Sequence, residues 1–95
     1  MKLYVIVRRD LPWAVRTVQG VHAATNLVAK WCPDSSEWGQ YGPHLVLLGV
    51  EDRHELADIA LTQDAEAFYE PDMGDQLTAI AFFDTEFMDA RARLL

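Results

Sequence analysis

The sequence has one cysteine, Cys32, so no internal disulfide can form, and nothing in its cysteine usage points to secretion. A lone cysteine reads first as a small buried or half-buried residue. Lys30 is its only basic neighbour, which is weak support for a nucleophile. Metal-ligand spacing is absent too: His22, His44 and His54 lie far apart, without CxxC, HxxxH or HExxH. Neither a metal nor a cofactor is expected. Long apolar runs are missing. The stretch Leu3 to Val7 is far short of the roughly 18 residues of a membrane span. It runs straight into Arg8 and Arg9, the reverse of signal-peptide order, so a cytoplasmic protein with no membrane association is the expectation.

Basic charge is scarce. Eight Lys and Arg face fifteen Asp and Glu, for a net charge of −7, and an acidic protein repels a polyanion at long range. The bases are unevenly spread, with Lys2, Arg8, Arg9, Arg16 and Lys30 in the first third and most acids after residue 50. Any nucleic-acid contact is therefore expected to be weak or confined to a local basic face.

What the chain does have is core material. Half of its 95 residues are apolar and 11% aromatic, enough for one small domain spanning 1–95. At this size pairing with a second copy would add stability, and a homodimer is expected.

Lys2 to Arg8 is a β-branched apolar run that predicts a central strand buried on both faces. Asp10-Leu-Pro12 predicts the start of a helix, with Asp10 as its cap. From Trp13 to Trp31 apolar residues recur at Ala14, Val18, Val21, Val28 and Trp31, which predicts an amphipathic helix with that stripe inside. Gly20 costs such a helix about 1 kcal/mol relative to alanine. It implies either close approach of another element or ligand, or a slight bend. Cys32 to Pro43 is rich in turn formers, with Pro33 ending the helix and one helical turn around Ser35 to Trp38.

His44 to Val50 predicts the second strand. Asp52 with Glu55 three residues on predicts a capping-box start, and Leu56, Ile59 and Ala60 form the buried stripe of a short helix ending near Thr62. Ala65 to Glu70 partly alternates as a third strand, Pro71 to Asp75 is a loop, and Leu77 to Phe83 is a fourth strand. Asp84 or Thr85 could cap a final helix bearing Phe87, Met88, Leu94 and Leu95. The expected fold is an α/β four-stranded mixed sheet flanked by helices, in the order β-α-(α)-β-α-β-β-α, the last two strands forming an antiparallel hairpin.

Two phrases carry a family resemblance. Tyr4-Val-Ile-Val-Arg8-Arg9-Asp10-Leu11, followed by Gln19-Gly-Val-His22-Ala23-Ala24, resembles the opening of type II peptidyl-tRNA hydrolases. Glu37-Trp38 through Gly42 into His44-Leu-Val-Leu, and the late Gly74-Asp-Gln-Leu-Thr-Ala-Ile-Ala, are similar to later segments of that family. The resemblance implies the same fold, and hydrolysis of the ester between a peptide and tRNA in the cytoplasm, without metal or cofactor. It implies His22, Asp72 and Arg16 as catalytic residues and Gln19, Asn26, Arg9 and Trp13 as substrate-binding ones. Trp13 would stand at the mouth of the site.

The departures are specific. Val15 stands where the family has a functional lysine, and Arg16 is the nearest cation; arginine can hold a phosphate or an oxyanion but cannot give up a proton as a tuned lysine does. The family's D-A-G-x-T-Q loop corresponds to Asp72-Met-Gly74-Asp75-Gln76, one residue short and lacking the threonine, and a second alignment puts Glu70 in the aspartate's place. On a helix Arg16, Gln19, His22 and Asn26 fall roughly along one side, a polar stripe suited to a site. Plain structural roles compete: His22 can brace a carbonyl, Gln19 can hold a loop, and Asp72 suits a turn. An enzyme on this fold and a non-catalytic binding or regulatory module both stand as readings.

Overall fold

The computed structural model describes residues 1–31 and 44–95. Cys32, the Pro33 helix stop, the turn around Ser35 to Trp38 and the Glu37 to Gly42 segment lie outside the described residues. Five strands form one mixed sheet in the order β3-β4-β1-β2-β5. They are β1 (Lys2–Arg8), β2 (Leu45–Val50), β3 (Glu66–Glu70), β4 (Gln76–Asp84) and β5 (Arg93–Leu94). β1 and β2 run parallel, while β4 is antiparallel to both β1 and β3.

The sheet lies between two helices, α1 (Trp13–Trp31) and α2 (Arg53–Gln63). Alternation along β1 decides the layers, since successive side chains point to opposite faces. Leu3, Val5 and Val7 join Ala79 and Ala81 under Ala23 and Leu27 of α1. Tyr4 and Ile6 join Leu48, Ile80 and Phe82 against Leu56 and Ile59 of α2. β1 is thus buried on both faces, as its unbroken apolar run predicts.

α2 starts at Asp52, whose Oδ1 accepts from the backbone N–H groups of His54 and Glu55. The reciprocal arm of the capping box is displaced by one residue: Glu55 Oε1 accepts from the Glu51 N–H. At the start of α1 the expectation fails. The Asp10 carboxylate is taken by the Arg8 guanidinium, and Arg16 N–H donates to the Pro12 carbonyl.

The buried stripe of α1 also differs from the predicted one. Gln19, Gly20, Ala23 and Leu27 face the sheet, whereas Ala14, Val18, Val21 and Trp31 are exposed. Both sides of this helix are apolar, so periodicity alone could not choose between them. Gly20 explains the choice: a Cβ there would meet Val7 Cγ1 at 3.1 Å and Val5 Cγ1 at 3.3 Å. The glycine lets the helix lie down on β1.

Two further expectations are corrected. The sheet has five strands rather than four, and the predicted final helix over Phe87, Met88, Leu94 and Leu95 does not form. Asp side chains divert the backbone donors a helix would need: Asp84 Oδ1 accepts from Thr85 N–H, and Asp89 Oδ1 from Arg91 N–H. Phe87 is drawn onto the sheet, its N–H donating to Tyr4 Oη at 2.9 Å and its ring edge-on to Phe82. The chain then pairs as β5 with the open edge of β2 at Leu48 and Gly49.

Candidate functional site

The site lies where β1 and β3 end, β4 begins and α1 starts. Along α1 and β3 three contacts follow one another in opposite chain directions. Lys30 pairs with Glu66 at 3.4 Å, His22 stacks on Phe68 with ring centroids 4.5 Å apart, and Gln19 donates to Glu70 at 3.0 Å. Alternation along β3 puts residues 66, 68 and 70 on the α1 face.

A β-bulge completes the arrangement. Between Phe68 and Tyr69 the β3–β4 register slips from Ala79 to Leu77, leaving Thr78 as an extra residue. Strict alternation would put Thr78 with Ile80 and Phe82 on the α2 face. The bulge turns it toward α1 instead, and its hydroxyl donates to Gln19 Oε1 at 2.7 Å. Gln19 is almost fully buried, yet both ends of its amide are paired: the oxygen accepts from Thr78 and the nitrogen donates to Glu70 Oε2. The other Glu70 oxygen accepts from Asp72 N–H at 3.2 Å, capping the 3₁₀ turn Pro71–Met73. The bonds from Gln19 and then from the Asp72 amide, with a further attraction from His22, hold the Glu70 carboxyl below its ordinary range.

Arg8 forms the floor on the other side. It is 5% exposed, with Nε and Nη2 forked onto the Asp10 carboxylate at 2.9 and 2.7 Å. Its Nη1 donates to Gln76 Oε1 and to the Leu77 carbonyl, each at 3.0 Å. One buried guanidinium thus ties the β1–α1 loop to the start of β4. The same fork holds the Asp10 carboxyl below its usual range.

The sequence-derived residues divide into two groups. Gln19, His22 and the turn containing Asp72 come together; His22 is exposed above Phe68, and Asp72 enters through its backbone N–H while its side chain is exposed. Arg16, Trp13 and Arg9 lie elsewhere. Arg16 donates to the Leu11 and Arg9 carbonyls, and its guanidinium lies 4.6 Å above the exposed Trp13 ring. Arg9 Nη2 donates to the carbonyls of Arg93 and Leu94, across at β5. Asn26 is exposed, a turn beyond His22. The single polar stripe is therefore two: Arg16 lines a groove toward β2 with Leu45 and Leu47, while Gln19 and His22 face β3.

Sequence reasoning missed Thr78 and Arg8 as parts of the site and ranked Asp72 above Glu70. The second alignment of the loop carried the signal for Glu70; for Thr78 it was one hydroxyl in an otherwise apolar strand. Among the described residues no group of three or more His, Cys, Asp or Glu is placed to hold a metal ion, and no helix is long and apolar enough to cross a membrane. In comparisons with known proteins, no family model matches the chain and no curated protein sequence matches it significantly.

Proposed function

We propose that this chain is a peptidyl-tRNA hydrolase-like ester hydrolase whose working carboxylate is Glu70. The observation that supports this reading is the 3.0 Å bond from Gln19 to Glu70. It joins the Gln19-x-x-His22 helix, one of the phrases that carry the family resemblance, to the end of the third strand, where a second alignment puts Glu70 in the place of the family's aspartate.

Ester hydrolysis needs a base for water, a partner for the charge the base acquires, and a return path for the proton. In this reading His22 takes a proton from water, and the hydroxide formed attacks the ester carbonyl carbon. The bond to the tRNA 3′ oxygen breaks, and that oxygen leaves with the proton from the imidazolium. Glu70, kept ionised by Gln19 and the Asp72 amide, stabilises the imidazolium between the two transfers. Gln19 and Thr78 hold Glu70 in place; they do not touch the reacting atoms.

A second reading, a non-catalytic binding or regulatory module, is favoured by the fate of the basic residues. Arg8 is spent on Asp10, Lys30 on Glu66, and Arg9 and Arg16 on backbone carbonyls. Val15 supplies no replacement for the lysine. Of the five bases in the first third, Lys2 alone is left without such a contact among the described residues.

Release of labelled peptide from peptidyl-tRNA by purified protein at low salt separates the two. The hydrolase reading expects release that is lost in His22→Ala and reduced at least about tenfold in Glu70→Gln. Absence of release above buffer, from protein shown by circular dichroism to be folded, removes it and leaves the binding module.

A further inference from the structure

We infer, on the premise of the hydrolase reading, that the outer edge of β3 holds the peptide half of the substrate as an added strand. The two edges of the sheet are treated differently. At one, β5 pairs with β2 at Leu48 and Gly49. At the other, β3 pairs inward with β4, and among the described residues no strand lies outside it.

The ladder fixes which groups this edge presents. The Phe68 carbonyl accepts from the Thr78 hydroxyl and the Glu70 carbonyl from the Asp75 N–H, so both point into the β3–β4 hairpin. Backbone groups alternate in direction along a strand, which turns those of Ala67 and Tyr69 outward. The register gives the same phase from the other side of the sheet. Leu3 N–H donates to His44 at the start of β2, so Tyr4 and Ile6 pair inward with Phe82 and Ile80, and Ala79 and Ala81 turn toward β3. Ala67 and Tyr69 each offer one N–H and one C=O to an incoming chain.

Open edges are ordinarily guarded by proline or by charge, lysine above all. β3 contains neither proline nor lysine, and its two acids are drawn onto α1, Glu66 by Lys30 and Glu70 by Gln19. Ala67 and Tyr69 carry no charge.

Position and chemistry select the occupant. An added strand runs about 4.8 Å outside its neighbour. Here that places it level with Phe68, on which the exposed His22 stacks, and with Glu70 beyond. The substrate of the proposed reaction joins a peptide to tRNA, and its peptide half carries the alternating N–H and C=O groups that a sheet edge pairs with. The RNA half is poorly served, since two acids border the edge and Arg8, Arg9, Arg16 and Lys30 are already engaged. Main-chain pairing also suits substrates that share a backbone and little else.

The test is amide NMR of isotope-labelled protein titrated with an acetylated, amidated hexapeptide of alternating threonine and valine. A final concentration on the order of 1 mM reaches even weak pairing. The Ala67 and Tyr69 amide signals should move most, while those of Leu48 and Gly49, at the edge closed by β5, stay in place. The same hexapeptide N-methylated at every residue keeps its side chains and loses its backbone donors, and it should bind at least about tenfold more weakly. Ala67→Pro removes one outward N–H without touching the inner ladder, and should weaken binding while the circular dichroism spectrum is unchanged. Still signals at Ala67 and Tyr69 overturn the inference. So does equal binding of the methylated peptide, or full affinity in Ala67→Pro. Release from peptidyl-tRNA is read separately. Release without edge binding overturns the inference and leaves the hydrolase reading. Edge binding without release removes the hydrolase reading and leaves the edge as the peptide site of a binding module.

Discussion

Glu70 and Gln19, fifty-one residues apart in the chain, meet in a 3.0 Å hydrogen bond that closes the end of β3 onto the first half of α1. The glutamine is buried, the glutamate is half exposed, and the bond between them marks where the interior network becomes a surface site.

Thr78→Val should destabilise the protein by about 1–3 kcal/mol, because the near-isosteric valine leaves the buried Gln19 Oε1 without its donor. Adding Gln19→Leu should cost less than the sum of the two single changes, since removing both partners leaves no buried orphan. Urea midpoints of the four proteins give the cycle. Simple additivity would mean that the two side chains are not coupled.

Acid should weaken the fold partly through Glu70. Its folded-state pKa lies below its unfolded value, so its contribution is complete above the ordinary glutamate range and is lost as pH falls through the folded value. Asp10 and Asp89 act with the same sign through Arg8 and Arg91. Denaturant stability followed from neutral pH to about pH 3 should therefore fall, and Glu70→Gln should show a shallower fall. An identical slope in the variant would remove Glu70 from the account.

Arg8→Met should cost about 3 kcal/mol, the scale of losing a buried ion with several bonds. Asp10 can turn to water, but Gln76 Oε1 and the Leu77 carbonyl lose their donor. Arg8→Lys should rescue little, since an ammonium cannot reproduce the fork onto Asp10 while also reaching β4. Asp10→Asn should cost only about 1 kcal/mol, because that carboxylate is largely at the surface. Thermal and denaturant unfolding of the three variants would show the order.

At Gly20 two effects of opposite sign compete. Alanine gains about 1 kcal/mol of helix propensity, but its Cβ must displace Val7 Cγ1 at 3.1 Å and Val5 Cγ1 at 3.3 Å. Gly20→Ala should stay within about 1 kcal/mol of wild type. Gly20→Val, with two more methyl groups against β1, should lose more than about 2 kcal/mol. Equal stability of the two variants would contradict the close packing of α1 on β1.

Elements with a strong local signature were legible in the sequence. The unbroken apolar run at Lys2–Arg8 is a strand to the residue, Asp52 caps α2, and the short connection after Glu70 turns a hairpin. The final segment was misread because Phe87, Met88, Leu94 and Leu95 have helical spacing. That spacing cannot register that Phe87 is held by Tyr4 or that β2 has an open edge waiting for β5. The site was half legible. Gln19 and His22 stand in one motif, while Glu70 took second place to Asp72 because both suit the turn.

Among the described residues the sequence by itself determined the kinds of elements and their order through the fourth strand, since periods of 2 and 3.6 residues and the capping side chains act over one or two turns of chain. Only the tertiary structure decided which apolar side of α1 faces inward, because both sides qualify and the choice rests on Gly20 meeting Val5 and Val7. It also decided that Thr78 leaves the alternation of its strand, through a bulge set by pairing with β3. The partners of Gln19, Arg8 and Thr78 lie 51 to 69 residues away in the contacts that matter. Bonds over such separations form only once the sheet has brought the strands together, and no local pattern encodes them.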